Sequence, residues 1–364
     1  MNKRFIIASG GTGGHFYPGF ALGRLLNSQG MSVLFVVRKN DPAIQILLDN
    51  KLKFREVDFI GFPRGINPLA YLKFTAKLWG ALHQMKKVIK DFKPDVCLGT
   101  GGYISFPLIF QAYRMGIKTV VHDSNTKIGL ANKVCARFAD LFLLGLPSNE
   151  KIKNTVLTST PIRSEFSAPV DRKKILKELE LNPQQKTVLI FGGSQGAKGL
   201  NAAVIQAVKR IVSENQNVHF IHISGERWYQ TIKNQYGRTL NVCVLPYSNE
   251  IYELLQACDL AICRSGASTL AEMIYCRKPA LLVPYPHAAA NHQYYNAKIL
   301  QSVGCAVIAL EGERLEEEIY QFLNRALLVQ NDAMLRTMTE NYAKLDIPNP
   351  LHAAENIAEI VKKM

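Results

Sequence analysis

The sequence Gly10-Gly11-Thr12-Gly13-Gly14-His15 directly follows a short apolar run, residues 4–8, and leads into a helical pattern. The same order recurs in the second half, where residues 187–191 run into Gly192-Gly193-Ser194-Gln195-Gly196-Ala197. Glycines after a parallel strand let the backbone turn tightly and present N–H groups, with the positive end of the next helix, to an anion. The recurrence predicts two Rossmann-like domains, each opening on its own glycine-rich turn.

Short β-rich runs alternate with helical patterns along the whole chain, which indicates βαβ units and parallel sheets. We expect strands at residues 4–8, 33–37, 96–99, 119–122, 141–144, 187–191, 218–223, 242–246, 260–263, 280–283 and 306–310. The fold class is therefore α/β, with domains at residues 1–163 and 164–345 and a C-terminal segment at 346–364. A last helix is expected near 351–363, and the residues alone allow it to pack on either domain.

Two further glycine-rich turns complete the set. Gly99-Thr100-Gly101-Gly102-Tyr103 ends one predicted strand, and Cys263-Arg264-Ser265-Gly266-Ala267-Ser268-Thr269-Leu270-Ala271-Glu272 ends another. We call residues 10–15, 99–103, 192–197 and 263–272 loops 1, 2, 3 and 4. In loop 4 the spacing Thr269-x-x-Glu272 fits a helix capping box. A carboxylate at Glu272 could equally accept both hydroxyls of a ribose, and the spacing does not decide between the two.

The composition points to a folded protein with an anionic partner. The chain has 364 residues, enough for two domains, and 48% of them are hydrophobic. The net charge is +15, and residues 1–163 carry +14 of it, with 23 Lys and Arg against 9 Asp and Glu. Such an excess predicts nucleic acid, an anionic membrane or a phosphorylated substrate as partner. Nucleic acid is not expected, because no RNP-type, zinc-finger or helix-turn-helix pattern is present.

Several other classes of protein are not expected. No apolar run approaches the 18 residues of a membrane-spanning helix, and the apolar start before the first glycines is too short for a signal peptide. The seven cysteines are scattered without a C-x-x-C pair, which fits buried thiols in a reducing cytosol. Neither H-E-x-x-H nor D-x-D occurs, so no metal site is expected.

Residues 68–93 combine apolar and cationic side chains at helical spacing. One face is assigned to the domain core: Leu72, Trp79, Leu82 and Ile89. The apolar residues of a second face lie beside a series of lysines: Tyr71, Lys73, Phe74, Lys77, Leu78, Lys86 and Lys87. An apolar and cationic face too short to span a bilayer predicts docking on an anionic membrane surface.

Two other enzyme classes compete for these motifs. Loop 1 lacks the last glycine of a dinucleotide fingerprint, which is Phe16 here, and the second strand ends in Arg38-Lys39 rather than an acid. Those cations would suit a phosphorylated ribose, so the dinucleotide reading is weakened but stays open. Loop 3 fits G-x-S-x-G with Ser194 as nucleophile, and Asp259 and His287 or His292 follow in the order of a serine hydrolase.

Single side chains also admit two interpretations. His15 is either an ordinary first-turn histidine or, in its neutral form, a base that takes a proton from a sugar hydroxyl. Gln293 and Asn296 are three apart on a predicted helix and therefore share a face. That face would suit the hydroxyls of a sugar, or it could simply be solvated.

Loops 1 to 4, in this order and spacing, closely resemble the MurG family of glycosyltransferases, and the likeness extends over essentially the whole chain. The resemblance implies a GT-B fold, with two Rossmann-like domains facing across a cleft and the last helix returning to the first domain. It implies inverting transfer of N-acetylglucosamine from UDP-N-acetylglucosamine to the 4-hydroxyl of an undecaprenyl-diphospho-muramoylpentapeptide, lipid I, in peptidoglycan synthesis. UDP-N-acetylglucosamine would be a substrate, and no cofactor is implied. The first domain would take this acceptor at the cytoplasmic face of the plasma membrane, and other cell-wall synthesis proteins would be partners.

The resemblance also assigns roles to residues by motif position. His15 becomes the candidate base, Glu272 would hold the ribose and Gln293 the N-acetylglucosamine. The residues implied to bind UDP-N-acetylglucosamine are Thr12, Gly13, Gly14, Asn125, Arg163, Ser194, Ser248, Ala267, Ser268, Thr269, Leu270, Ala271, Glu272, Gln293 and Asn296. The acceptor diphosphate would lie at Gly101, Gly102 and Tyr103. Ser248 departs from the family, which usually has an apolar residue there, and His292 replaces a second glutamine found in some relatives.

Two alternatives remain within this fold. A relative could use another lipid or sugar acceptor, and a UDP-N-acetylglucosamine 2-epimerase could share the architecture. An epimerase needs neither a lipid nor a membrane surface, so the cationic stretch at residues 68–93 argues against it.

Overall fold

Two separate parallel sheets organise the chain. The computed structural model describes residues 2–11, 13–63, 65–193, 196–237, 239, 241–329 and 331–364. The first unit comprises Met1–Ser164 together with Ile347–Met364, and the second comprises Glu165–Asp346. All seven cysteines lie within the described residues as free thiols.

In the first unit the described residues form seven strands and, before the last segment, five helices. The strands are β1 (Arg4–Ala8), β2 (Ser32–Arg38), β3 (Phe54–Val57), β4 (Val96–Gly99), β5 (Lys118–Asp123), β6 (Leu141–Leu144) and β7 (Thr155–Leu157). The helices are α1 (Gly13–Ser28), α2 (Ala43–Asp49), α3 (Pro68–Phe92), α4 (Ser105–Arg114) and α5 (Leu130–Cys135). The strands pair in parallel in the order β3-β2-β1-β4-β5-β6-β7, the arrangement of a doubly wound fold.

The second unit repeats this arrangement. Its strands are β8 (Lys186–Phe191), β9 (Val218–Ile223), β10 (Val242–Leu245), β11 (Leu260–Cys263), β12 (Ala280–Leu282) and β13 (Ala306–Ile308). Its helices are α6 (Arg172–Glu178), α7 (Lys198–Glu214), α8 (Tyr229–Tyr236), α9 (Ile251–Ala257), α10 (Ala267–Cys276), α11 (His292–Ser302), α12 (Leu315–Asn324) and α13 (Asn331–Glu340). The parallel order β10-β9-β8-β11-β12-β13 repeats the order β3-β2-β1-β4-β5-β6 of the first sheet, and β7 has no counterpart among the described residues of the second unit.

The last helix, α14 (Ala353–Lys363), belongs to the first unit although it follows the whole second unit in the chain. It packs against α1, and Ile357, Ala358 and Val361 are buried in the core beneath the β1 side of the sheet. Their spacing of three and four residues places them on one helical face. Burial of that apolar face therefore fixes the helix to the first unit.

The predicted strands all occur, with ends that differ by at most two residues, whereas β3 and β7 were not predicted. Both lie at the edges of the first sheet. β3 reads Phe-Arg-Glu-Val with its two central residues exposed, and β7 is mostly exposed as well. An edge strand needs to bury little apolar surface, so neither strand carries the apolar run on which the prediction depended.

The structure corrects the predicted faces of α3. Leu72 and Trp79, assigned to the core, are 67% and 74% exposed, whereas Ala81, Met85 and Ile89 are buried. Phe74 and Leu78, assigned to the outer face, are half-buried against the core cluster of the first sheet. Of the predicted core face, Ile89 is buried and Leu82 is half-buried, so the prediction is wrong for Leu72 and Trp79.

One backbone position gives a stability prediction. Ser159 is buried with φ of +66°, in the left-handed region, which costs a residue with a Cβ about 1–2 kcal/mol. We expect Ser159→Gly to relieve this strain and, after the entropic cost of glycine, to raise the midpoint of thermal unfolding by about 2–4 °C. Ser159→Ala keeps the strain and is the control. A glycine variant no more stable than the alanine variant would contradict this account.

Candidate active site

All four loops lie at the carboxyl edges of the two sheets, at the points where the strand order reverses. β1 and β4 are neighbours in the first sheet, and loops 1 and 2 follow them. β8 and β11 are neighbours in the second sheet, and loops 3 and 4 follow them. In open α/β sheets the crevice at such a reversal is where ligands bind. Each unit therefore carries its own candidate ligand site.

A buried carboxylate holds loop 1. The Gly11 N–H donates to Asp41 Oδ2 (2.8 Å), and the Ala43 N–H at the start of α2 donates to Asp41 Oδ1 (3.0 Å). Gly10 lies so close that a Cβ there would be 3.0 Å from Asp41 Oδ2. Asp41 was not predicted, because an acid was expected only at the end of β2, where Arg38 and Lys39 stand, and no local motif marks a support for loop 1.

The start of α1, which carries His15, is tied to the ends of β1 and β4. The Ser9 and Thr100 hydroxyls both donate to the His15 carbonyl, at 3.1 Å and 2.8 Å. The imidazole lies against Gly101, where a Cβ would be 2.4 Å from His15 Nδ1. Gly101 also has φ of +108°, a conformation that side chains rarely adopt. Loop 2 therefore needs glycine here both for its turn and to make room for the histidine.

The rest of loop 2 is fixed by its own hydrogen bonds. The Ser105 hydroxyl, at the start of α4, accepts from the Gly101 N–H (3.2 Å) and donates to the Gly101 carbonyl (2.8 Å). Gly102 has φ of +73°, and the Tyr103 ring packs directly over Gly61. The structure thus places His15, Gly101, Gly102 and Tyr103 together at one crevice of the first unit.

The turn after β5 carries the predicted ligand Asn125. The buried Asp123 carboxylate accepts from the Asn125 N–H (2.9 Å), the Gly129 N–H (2.9 Å) and Asn132 Nδ2 (2.9 Å). The neighbouring His122 is buried, and its Nε2 donates to the Ser159 carbonyl (3.2 Å). Burial lowers the pKa of His122, so the ring is neutral near pH 7. Asn125 is therefore held by a rigid polar turn.

Loop 3 is shaped by close backbone approach. A Cβ on Gly192 would lie 2.4 Å from the Ala197 Cβ, and a Cβ on Gly196 would lie 2.3 Å from the Ser224 carbonyl oxygen. α7 starts at Lys198 without a side-chain cap, so its first N–H groups point out of the helix end toward the loop. Two predicted donor ligands, Ser194 in this loop and Thr12 in loop 1, lie outside the described residues.

The capping-box interpretation of loop 4 is wrong. α10 begins at Ala267 with Gly266 as N-cap, so Thr269 lies inside the helix and Glu272 lies on its second turn. The first intrahelical bond runs from the Leu270 N–H to the Gly266 carbonyl (2.9 Å), which leaves the N–H groups of the three preceding residues at the helix end. Ala267, Leu270 and Ala271 are buried, so their contacts with a ligand would have to come from the backbone.

Gln293 and Asn296 do not form a solvated face. Asn296 is completely buried, and its Nδ2 donates to the Ser265 carbonyl (3.2 Å) in loop 4. The Ser265 hydroxyl donates to the Gln293 carbonyl (2.8 Å), and Gln293 Oε1 accepts from the Tyr285 N–H (2.9 Å). α11 is thereby joined to loop 4, and the Gln293 side chain is oriented with its NH₂ as the remaining donor.

The other predicted donor ligands lie in loops at the same sheet edges. Ser248 follows β10, and its hydroxyl accepts from the Glu250 N–H (3.1 Å). Arg163 follows β7 and is half-buried. The other two proposed hydrolase residues, Asp259 and His287 or His292, lie at opposite edges of the second sheet. Asp259 precedes β11 and accepts from the Thr187 N–H (2.8 Å), at the sheet edge opposite loop 3. Within the described residues, no group of three His, Cys, Asp or Glu could hold a metal ion.

Two family models match the chain. The glycosyltransferase family 28 N-terminal domain matches residues 5–143, and the C-terminal domain of the same family matches residues 187–352. A curated protein of Elusimicrobium minutum (strain Pei191) is 49% identical, and the alignment covers 100% of both chains. That relative is named UDP-N-acetylglucosamine–N-acetylmuramyl-(pentapeptide) pyrophosphoryl-undecaprenol N-acetylglucosamine transferase. This chain belongs to the MurG family.

Solved structures agree with the MurG family and its fold. The crystal structure of MurG from Acinetobacter baumannii is 25% identical, with a TM-score of 0.79 and 100% of both chains covered. A Listeria monocytogenes protein named as a UDP-N-acetylglucosamine 2-epimerase matches with a TM-score of 0.70, at 12% identity and covering 100% and 96% of the two chains. At that identity the likeness shows the fold alone. The predicted GT-B fold, as two parallel-sheet α/β domains, is confirmed.

Proposed function

We propose that this protein transfers N-acetylglucosamine from UDP-N-acetylglucosamine to the 4-hydroxyl of the muramyl sugar of undecaprenyl-diphospho-N-acetylmuramoyl-pentapeptide. The product is the β-1,4-linked disaccharide lipid of peptidoglycan synthesis. The observation that carries the proposal is full-length identity of 49% to a curated transferase, in a chain whose four loops lie at the two strand-order reversals.

The reaction is a single displacement with inversion. The acceptor 4-hydroxyl oxygen forms a bond to the anomeric carbon of the donor, and the bond from that carbon to the β-phosphate oxygen of UDP breaks. The hydroxyl proton passes to His15, and UDP leaves with the electron pair of the broken bond. His15 suits the base because its backbone is fixed by Ser9 and Thr100 and its ring lies against Gly101.

The second unit would bind the donor. α7 begins directly after loop 3, and α10 begins within loop 4 at Ala267. The N–H groups at these two helix ends would stabilise the charge that develops on departing UDP. Glu272 would accept the ribose hydroxyls, and the NH₂ of Gln293 would donate to the N-acetylglucosamine. Asn296 would not contact the donor but would hold loop 4 in place, because it is buried and its Nδ2 donates to the Ser265 carbonyl. Thr12, Gly13, Gly14, Asn125 and Arg163, which belong to the first unit, stay predicted ligands of UDP-N-acetylglucosamine by motif position.

The first unit would bind the lipid acceptor at the cytoplasmic face of the plasma membrane. The outer face of α3 presents Leu69, Leu72 and Trp79, which are 74%, 67% and 74% exposed, at helical spacing. Lys73, Lys86 and Lys87 are exposed along the same helix, whereas the Lys77 ammonium is paired with Asp58 and lowers the pKa of that carboxyl. This combination suits an anionic interface. None of the helices in the described ranges combines the length and the apolar composition that a membrane span requires.

Membrane docking predicts a specific loss of vesicle binding. We expect Leu72→Glu to weaken binding to vesicles that contain phosphatidylglycerol by about tenfold or more. The variant loses the apolar contact of the leucine with the lipid and places a negative charge next to a negatively charged surface. Leu48→Glu makes the same chemical change at an exposed leucine on α2 and is the control, with an expected change below about twofold. Co-sedimentation measures both. Equal loss in the two variants would contradict a docking role for α3.

Transfer itself is tested by incubating the protein with labelled UDP-N-acetylglucosamine and the undecaprenyl-diphospho-muramoylpentapeptide. Label that moves into the lipid phase, dependent on this acceptor, is the expected result. Label in the lipid phase with other polyprenyl acceptors instead would point to a different glycosyl acceptor. Conversion of the donor to UDP-N-acetylmannosamine would overturn the proposal in favour of an epimerase.

A further inference from the structure

A run of buried polar side chains lies behind loop 3, in the core of the second unit. Tyr236 on α8, His222 on β9 and Asn201 on α7 are 4%, 0% and 2% exposed. The Tyr236 hydroxyl is 3.0 Å from His222 Nδ1, and His222 Nε2 is 3.1 Å from Asn201 Oδ1. Asn201 Nδ2 lies 2.9 Å from the Ser224 carbonyl oxygen. The surroundings are apolar, so these groups rely on one another for hydrogen bonds.

The direction of every bond in this run follows from chemistry. Asn201 must present its NH₂ to the Ser224 carbonyl, so its oxygen faces His222 and accepts from Nε2–H. Burial lowers the pKa of His222 to about 3, so the ring is neutral and Nδ1 is an acceptor. Tyr236 therefore donates its hydroxyl proton to Nδ1. The chain of donors runs one way, from Tyr236 through His222 and Asn201 to the Ser224 carbonyl.

The end of the run supports loop 3. The Ser224 carbonyl oxygen is the atom against which Gly196 packs, since a Cβ on Gly196 would lie 2.3 Å from it. Asn201 itself is in the first turns of α7, and its N–H makes a helical bond to Ala197, the last residue of loop 3 (2.8 Å). The run therefore links the C-terminal end of loop 3, at Gly196 and Ala197, and the start of α7 to β9 and α8.

We propose that Tyr236, His222 and Asn201 are positioning residues that fix loop 3 and the N-terminal end of α7 for the donor diphosphate. The assignment rests on the proposed function, because it takes UDP as the ligand of this loop. Apolar packing alone allows α7 to slide or rotate against the sheet, whereas directional hydrogen bonds fix its height and rotation. The N-terminal end of α7 can bind an anion only if the height and the rotation of the helix are both fixed.

The other end of α7 provides a matched control. Tyr320 on α12 is also buried, and its hydroxyl donates to the Glu214 carboxylate at the last residue of α7 (3.0 Å). Tyr320→Phe and Tyr236→Phe each remove one hydroxyl that is connected to α7. The Tyr320 hydroxyl bonds directly to Glu214, and the Tyr236 hydroxyl is connected to Asn201 through His222. The first change lies at the end of α7 away from loop 3, and the second lies at the end next to it.

The test measures UDP binding by titration calorimetry and unfolding midpoints on the full chain. We expect Tyr236→Phe to weaken UDP binding by about fivefold and Tyr320→Phe by less than about twofold, although both lower the midpoint. Asn201→Ala should weaken binding at least as much as Tyr236→Phe. The double variant Tyr236→Phe/Asn201→Ala should bind UDP no more weakly than Asn201→Ala alone, because Tyr236 acts on loop 3 through Asn201.

Two results would overturn the assignment. Equal UDP affinity in the two phenylalanine variants would make the run a feature of stability alone, and additive losses in the double variant would mean that the three residues do not act as a chain. Wild-type protein that bound no UDP would contradict the proposed donor itself and the assignment with it. That outcome is distinguished from the other two because it concerns the unmodified protein.

Discussion

Replacement of His15 by glutamine is expected to lower kcat about 10²- to 10⁴-fold and to leave KM for UDP-N-acetylglucosamine within about twofold. Glutamine keeps a polar side chain of similar length but cannot take the acceptor proton at neutral pH. Because the His15 backbone is held by Ser9 and Thr100, the start of α1 should keep its position in the variant. Steady-state transfer with a short-chain lipid acceptor measures both parameters.

The control is His352→Gln, which alters an exposed histidine paired with Glu355 at the start of α14. It should leave kcat unchanged. If His15→Gln kept near-normal turnover at saturating substrates, the base would have to be another group, and the role of His15 would be limited to packing against loop 2.

Gly101→Ala has the second largest expected effect, through the same histidine. The added methyl would lie 2.4 Å from His15 Nδ1, so either the ring or loop 2 must move by an ångström or more. Displacement of a catalytic group by about 1 Å can cost about 10²-fold in rate. We therefore expect kcat to fall by about that factor or more in the transfer assay, and the folded unit to persist.

Gly116→Ala is the control for the backbone strain that alanine causes at a left-handed position. Gly116 has φ of +70° in the turn before β5, and a Cβ there would meet nothing within 4 Å. Both variants should lose stability, which circular dichroism against temperature measures, and only Gly101→Ala should lose activity. Parallel losses of activity would show that strain in the first unit, and not crowding of His15, is responsible.

The features best predicted from sequence were those that depend on local chemistry. Loops 1 and 3 are glycine-rich because a strand, a tight turn and a helix must succeed one another within six residues. The residues that meet this requirement are neighbours in the sequence, so the pattern can be recognised there. The central strands are also evident, because a strand buried on both faces is a continuous apolar run. β3 and β7, which lie at sheet edges, lack that signal.

Most features that escaped prediction depend on partners far away in the sequence, whereas the start of α10 depends on which nearby residue takes the N-cap position. Helical spacing shows that α3 has apolar residues on two faces, but it does not say which face the sheet covers, and Trp79 was assigned to the wrong one. The pattern Thr269-x-x-Glu272 fits a capping box, yet the helix begins at Ala267 because Gly266 takes the N-cap position. Asp41 is 30 residues from the loop that it supports, and no local motif marks such a contact.

The return of α14 to the first unit bears on the order of events during synthesis. Ile357, Ala358 and Val361 complete the core of the first unit, yet they leave the ribosome after every residue of the second unit. Domains commonly fold in the order in which they emerge. Here the second unit can finish folding before α14 is available to bury the apolar side of α1. The first unit is thus the part of the nascent chain with the longest exposure to chaperones and proteases.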